Sequence, residues 1–295
     1  MTEISSSVSA DVDRYLVVGN PIAHSRSPQI HAAFAAQTGQ RMHYDRRLLP
    51  TEPETAFAEA MRRFAAEEGG KGANVTMPFK EAAFALADVR SERADAAGAA
   101  NTLVFDEGRV LADNTDGAGL VWDVLRQGGE LAGRRVTVLG AGGAARGLML
   151  SLLQAGVSRL VVANRNLARA QRLVADLNAH PALAGHQPRL PAIEAVALAE
   201  APAADVVINA TSAGLQTQGL ILPAGLFEGC RMAYDCIYAE QPTPFMQAAA
   251  QAGVPRISDG LGMLVGQAAE SFRLWRGVMP DAAAVLALLR QPPGR

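Results

Sequence analysis

Gly140-Ala141-Gly142-Gly143-Ala144-Ala145 constrains this chain more than any other stretch. It follows an apolar run at 135–139 that reads as a strand, and it precedes a helical pattern at 146–155. A second apolar run, at 160–163, reads as the next strand. Strand, glycine turn, helix and strand form the βαβ unit that holds a dinucleotide pyrophosphate. Gly140 allows the tight turn and Gly142 lets the backbone approach the phosphates. Ala145 takes the third slot, where a small side chain permits close helix–strand packing. The helix start then offers free N–H groups to an anion.

The end of the second strand selects the cofactor. An NAD-binding unit usually places Asp or Glu there to hold the ribose 2′-hydroxyl. This chain has Asn164, Arg165 and Asn166, with Arg169 one helical turn on. Guanidinium groups without a carboxylate suit a 2′-phosphate, because Arg binds phosphate oxygens bidentately. The expected cofactor is therefore NADP. A surface Arg pair opening a helix is the plainer alternative.

With 295 residues, 49% of them hydrophobic, the chain has enough material for two domains with substantial cores. A formal charge of −2 gives no reason to expect a nucleic acid or a membrane surface as partner. Cys230 and Cys236 form no metal-ligand pattern and read as buried thiols near a strand. No apolar run reaches transmembrane length, and the Ser-rich, acidic first 13 residues lack the apolar core of a signal peptide. A cytoplasmic protein acting on a small molecule follows; a homodimer stays open.

The organisation is α/β, with strand and helix alternating from the start. Residues 1–13 read as a flexible tail. A strand at 15–18 leads to a helix with Ser27 at its N-cap, Pro28 at N1 and Gly39 at its far end. Further strands are expected at 43–49 and 73–76, helices at 54–68, 79–88 and 92–97, and a hairpin at 101–105 and 110–113. Asp116 is well placed to cap a helix over 117–127, which leads into the nucleotide unit. That unit continues with a helix around 193–198, strands at 205–208, 232–236 and 254–257, and a helix at 243–252. No sheet position remains for the helical stretches 260–276 and 281–290, so they should pack back across the first domain. The expected division is a substrate and catalytic domain over 14–116, a Rossmann-like NADP domain over 117–259, and C-terminal helices over 260–295 completing the first.

Several stretches could carry chemistry. Ser25 and Ser27 sit between a strand end and a helix start, where two hydroxyls beside free N–H groups suit a carboxylate. Alternatively, Ser27 merely caps the helix and Ser25 sits in a turn. Lys80 stands in the first turn of a helix, where the dipole disfavours its charge, so it is a usable acid/base. Asp116, at the expected domain junction, is its best carboxylate partner. Asn101 can both donate to and accept from hydroxyls. Gln267, amid Leu261, Met263, Leu264, Val265 and Ala268, faces either solvent or a ligand. The five histidines show no metal-ligand spacing and read as structural or exposed. No metal site is expected.

The stretches 19–28, 74–80, 97–102, 113–117 and 140–147 resemble the signatures of the shikimate dehydrogenase family. So do Asn209-Ala210-Thr211-Ser212, Tyr234-Asp235 with Tyr238, and the run from Asp259 to Gln267. The order and spacing hold from about 14 to 290. The resemblance implies reversible, NADP-dependent reduction of 3-dehydroshikimate to shikimate, with Lys80 and Asp116 as the catalytic pair. It implies that Ser25 and Ser27 bind the substrate carboxylate, that Thr76, Asn101 and Gln267 bind ring hydroxyls, and that Tyr238 lines the same pocket. Gly140, Ala141, Gly142, Gly143, Ala144 and Ala145 would hold the pyrophosphate, and Asn164, Arg165 and Arg169 the 2′-phosphate, with Asn166 beside them. Thr211, Gly260 and Met263 would lie near the ribose and nicotinamide. Three departures stand out: Asn166 replaces the usual hydroxyl residue, Ala100 replaces a valine, and the loop at 215–222 has an unusual composition. A quinate or aminoshikimate dehydrogenase of the same family, or a non-catalytic NADP-binding regulator, would share most of these features. The 5% aromatic content gives no stacking platform for a pterin, against a folate-linked dehydrogenase.

Overall fold

The computed structural model describes residues 12–184, 191–211 and 221–291. The expected tail up to residue 11, His186 and most of the 215–222 loop lie outside these. The first sheet is built from β1 (Asp13–Gly19), β2 (Met42–Leu48), β3 (Gly70–Val75), β4 (Val89–Arg90), β5 (Thr102–Asp106) and β6 (Arg109–Asp113). Its strand order is β2-β1-β3-β5-β6-β4. β1 runs parallel to both β2 and β3, whereas β5 is antiparallel to β3 and β6. The β5–β6 hairpin closes with Glu107 and Gly108 at φ of 46° and 79°, the two left-handed residues that a two-residue turn requires.

Helices α1 (Ser27–Thr38), α2 (Ala56–Glu67), α3 (Lys80–Leu86) and α4 (Glu92–Ala97) join these strands, and α5 (Asp116–Arg126) leaves the sheet. Two expected caps are corrected. Ser27 is the first residue inside α1, with Arg26 at the cap position, and its hydroxyl is turned toward Ser25. Asp116 is likewise the first residue of α5, after Thr115, and its carboxylate is engaged by side chains from other elements.

The second sheet comprises β7 (Arg135–Leu139), β8 (Arg159–Asn164), β9 (Ile193–Ala197), β10 (Val206–Asn209), β11 (Met232–Asp235) and β12 (Ile257–Ser258). All pairs are parallel, in the order β12-β11-β10-β7-β8-β9. That is the doubly wound dinucleotide order, with its switch point between β7 and β10. Helices α6 (Gly143–Gln154), α7 (Leu167–Asn178), α8 (Pro181–Ala184) and α9 (Pro244–Gln251) complete this half.

The helix expected around 193–198 is a strand. β9 pairs with the free edge of β8, Leu160 opposite Ile193 through Asn164 opposite Ala197, and this pairing overrides the helical preference of its alanines. The strand expected at 254–257 is only β12, because pairing with β11 covers just two residues.

α10 (Leu261–Arg276) and α11 (Ala282–Arg290) return to the first half. Phe272 and Val265 of α10 and Val285 of α11 share one core with Ile30 and Phe34 of α1. α10 also lies along α5, and Tyr234 of β11 ties the two together: its hydroxyl donates to Asp123 Oδ2 at 2.7 Å and accepts from the Met263 N–H at 3.1 Å. Among the described residues no helix is long and apolar enough to cross a membrane.

Candidate active site

The loops that follow β1 and β3 run side by side. The Asn20 N–H donates to the Met77 carbonyl and the Thr76 N–H to the Val18 carbonyl, so the serine loop and the lysine loop are fixed against each other. The chain then enters α3 at Lys80. Across the hairpin, Asp113-Asn114-Thr115 turns the chain into α5, and the Asp116 N–H is held by the Asn114 side chain. These two helix starts bring Lys80 Nζ within 2.5 Å of Asp116 Oδ2. The other carboxylate oxygen accepts from Asn101 Nδ2 at 2.8 Å. Asp116 is buried, whereas a fifth of the Lys80 side chain remains exposed. The ammonium is therefore held from behind and open in front.

That open side faces a cavity of about 330 Å³. Lys80, Asp116, Asn101 and Gln267 line it as one hydrogen-bonded group. Gln267 is fixed by its own Nε2 donating to the Leu264 carbonyl, while its Oε1 accepts from Asn101. Ser25, Ser27, Thr76 and Tyr238 line it as well. The two serine oxygens stand 3.2 Å apart, and the Ser27 N–H donates to Ser25 Oγ. Burial raises the Tyr238 phenol above its ordinary pKa, with Arg26 opposing, so it meets the cavity as a neutral donor. The cavity thus combines hydroxyls that suit an anion with a charged group that suits hydroxyl or carbonyl oxygens.

A second cavity of about 580 Å³ opens at the switch point of the second sheet. Gly140, Ala141, Gly142, Gly143 and Ala144 line it. Gly140 adopts φ +109°, a conformation that only glycine takes readily. Gly142 and Gly143 have open space where a side chain would stand, so bare backbone faces the cavity at the start of α6. Asn164, Arg165 and Arg169 border it from β8 and α7, and Arg169 Nε donates to the Ala141 carbonyl at 3.1 Å. Arg165 makes no salt bridge among the described residues. Thr211 also lines this cavity, and buried Asn209 Oδ1 accepts from both its N–H and its hydroxyl. A glycine cradle, a helix start and two guanidinium groups fit a dinucleotide carrying an extra phosphate.

Four sequence-named residues stand elsewhere. Ala145 is fully buried under the glycine turn, where it packs α6 against the sheet. Asn166 caps α7 by accepting the Arg169 N–H, because its place at the helix start satisfies an orphan donor. Gly260 and Met263 line the first cavity and not the second, since α10 turns toward the substrate side immediately after β12.

Thr76, Lys80 and Cys236 border both cavities and mark where they meet. Sequence alone marks Cys236 only as a buried thiol. Its place just after β11 was the available signal, because ligands collect at the carboxyl ends of parallel strands. Burial pushes its thiol well up, Asp235 and Asp116 add to that, and Lys80 opposes. Asn74 also lines the first cavity; two residues before Thr76, it could have been found from strand alternation. Among the described residues no group of His, Cys, Asp and Glu could hold a metal.

Comparisons with known proteins agree with this layout. The family "Shikimate dehydrogenase substrate binding domain" matches residues 17–103, "Shikimate / quinate 5-dehydrogenase" residues 124–222, and "Shikimate 5'-dehydrogenase C-terminal domain" residues 260–290. A protein of Cupriavidus taiwanensis named shikimate dehydrogenase (NADP(+)) is 51% identical over 288 residues, covering 95% of this chain and 94% of its own. One of the same name from Aromatoleum aromaticum is 51% identical, covering 95% and 98%. Among solved structures, an Ael1 enzyme from Pseudomonas putida has a TM-score of 0.84 at 43% identity, covering 95% and 99%. Shikimate 5-dehydrogenase from Thermus thermophilus, solved with NADP(H) and shikimate, has a TM-score of 0.82 at 34% identity, with the same coverage.

Proposed function

The chain belongs to the shikimate dehydrogenase family, and from that membership we propose that it interconverts 3-dehydroshikimate and shikimate with NADP. The observation that carries the assignment is the Lys80–Asp116 pair in the first cavity, with Lys80 bordering the second as well. In this reading residues 14–116 and 260–295 hold the substrate and residues 117–259 the cofactor. The two unpaired thiols, Cys230 and Cys236, suit a reducing compartment, and the cytoplasm is the proposed setting.

Ser25 and Ser27 receive the substrate carboxylate, with Tyr238 closing that end. This fixes the ring so that its oxygens point to Lys80, Asp116, Asn101 and Gln267, with Thr76 beside them. The glycine turn takes the pyrophosphate, and Arg165 and Arg169 take the 2′-phosphate. When bound, the nicotinamide supplies the hydride for reduction or accepts it in oxidation. Lys80 Nζ donates a proton to the carbonyl oxygen as it becomes an alkoxide and stabilises the developing charge. Asp116 holds the ammonium on its other side and accepts from a neighbouring substrate hydroxyl, so the proton leaves Lys80 in a fixed direction. Enclosure between the halves excludes water and aligns the reacting carbon.

The deciding experiment measures NADP reduction with shikimate and with quinate, and NAD reduction with each. The proposal expects shikimate with NADP to give the highest kcat/KM. Quinate as the better substrate would move the assignment to the sister activity, and tight NADPH binding without turnover on either acid would make the chain a regulator.

A further inference from the structure

Behind the catalytic carboxylate lies a buried run of polar side chains that includes Asn74, another residue of the substrate cavity. Asn74 of β3 and Thr102 of β5 are register partners across an antiparallel pair, so their side chains share one face. Asn74 Nδ2 donates to Thr102 Oγ1 at 3.2 Å and to Ser271 Oγ of α10 at 2.9 Å. Thr102 and Ser271 hydroxyls lie 2.7 Å apart. Thr102 Oγ1 donates to Asn101 Oδ1 at 2.9 Å, and Asn101 Nδ2 donates to Asp116 Oδ1. Beyond Asn74 the run begins at Tyr44, whose hydroxyl donates to Asn74 Oδ1 at 2.7 Å. Thr102 and Ser271 have no exposed surface, and Asn74 and Asn101 have almost none.

Thr102 is the joint of this run. A hydroxyl has one proton and two lone pairs. Asn101 Oδ1 can only accept, from Thr102 Oγ1 and also from the Thr115 N–H at 2.9 Å, while Thr102 Oγ1 accepts from Asn74 and lies beside Ser271, whose own hydroxyl donates to the Gln267 carbonyl at 3.0 Å. Donation therefore proceeds in one direction, from Tyr44 through Asn74, Thr102 and Asn101 to the carboxylate, and such bonds polarise one another. We propose that Thr102 is a positioning residue for the reaction, holding the Asn101 amide so that Asp116 stays aimed at Lys80. Thr102 lines neither cavity, so it acts through the residues it bonds, Asn101 beside the carboxylate and Asn74 on the cavity wall.

The inference rests on the proposed function, and the assay separates the two. Thr102→Val keeps the shape and removes the hydroxyl; Thr102→Ser keeps the hydroxyl and removes a methyl. With shikimate and NADP, Thr102→Val is expected to lower kcat about tenfold, with the KM for NADP unchanged and that for shikimate within about twofold. Thr102→Ser should restore kcat to within about twofold of the parent, even where its melting temperature is lower than that of the valine variant. Should Thr102→Val fail to fold, Ser271→Ala, which takes away one partner of the same hydroxyl, is expected to lower kcat about threefold with the KM for NADP unchanged. An unchanged kcat in the folded variant, or a serine variant as slow as the valine one, overturns the positioning role. A parent protein without turnover overturns the proposed function instead.

Discussion

The backbone of Gly119 passes so close to that of Gln267 that a methyl group on Gly119 would stand 2.5 Å from the Gln267 nitrogen and 2.6 Å from the Met263 oxygen. The helix that opens with Asp116 and the helix that carries Gln267 meet backbone to backbone at this point. Gly119→Ala would ordinarily gain up to about 1 kcal/mol of helix propensity. Here overpacking should win, costing about 1–3 kcal/mol, and the Asn101–Gln267 contact should open with it. A lower melting temperature together with a lower kcat is expected; a raised melting temperature would show that the helices do not approach this closely.

Lys80→Ala is expected to lower kcat by about 10²–10⁴, the range for a general acid/base. KM for both ligands should change little, because the serine end and the glycine cradle are untouched. Steady-state kinetics with shikimate and NADP check this, and near-normal turnover would remove Lys80 from the mechanism.

Arg165→Ala should weaken NADPH roughly ten- to a hundredfold, the worth of a charged hydrogen bond, and leave NADH within about twofold. Fluorescence titration of the two reduced cofactors distinguishes the outcomes. Equal losses would mean that the basic end of β8 does not read the 2′-phosphate.

His31 of α1 gives a pH dependence of stability. It is fully buried, stacks on Tyr44 at 4.2 Å between ring centroids, and among the described residues no partner meets either ring nitrogen at hydrogen-bonding geometry. Burial lowers its pKa to about 3, with the nearby Asn74 side chain opposing. The unfolded chain takes up this proton below about pH 6.5, and the folded chain only near pH 3. The residue's contribution is therefore complete above that upper value and lost progressively as pH falls toward the lower one. Between pH 7 and pH 5 the loss is about 2 kcal/mol. His31→Phe, which keeps the stacked ring, should lose that much less over the same interval in denaturant titrations. Parallel curves for the two proteins would contradict the buried neutral imidazole.

Local chemistry was the legible part of this chain. The glycine turn, the basic strand end, Lys80 and Asp116 each announce themselves within a few residues, because a phosphate cradle or an acid/base needs particular side chains beside a strand end. What stayed hidden was decided by distant partners. Ile193 to Ala197 has an alanine-rich composition that reads as helix, and only the exposed edge of β8 makes it a strand. Cys236 looks inert until β11 is seen to end between the two cavities. The return of α10 was expected for want of a sheet position, but that it brings Gly260 and Met263 to line the first cavity is set by its packing against α5 and α1. Ser271 lies 169 positions from Thr102, and no local pattern pairs them.

The return of α10 bears on how the molecule is made. Synthesis proceeds from the N-terminus and folding follows it, so the strands and helices of both sheets leave the ribosome before Met263, Gln267 and Ser271 do. The first 260 residues contain the described lining of the nucleotide cavity, whereas the substrate cavity still lacks Met263, Leu264 and Gln267. Closure of the reaction chamber is thus a late event of biogenesis, because Met263, Leu264 and Gln267 are the last of its lining residues to be made.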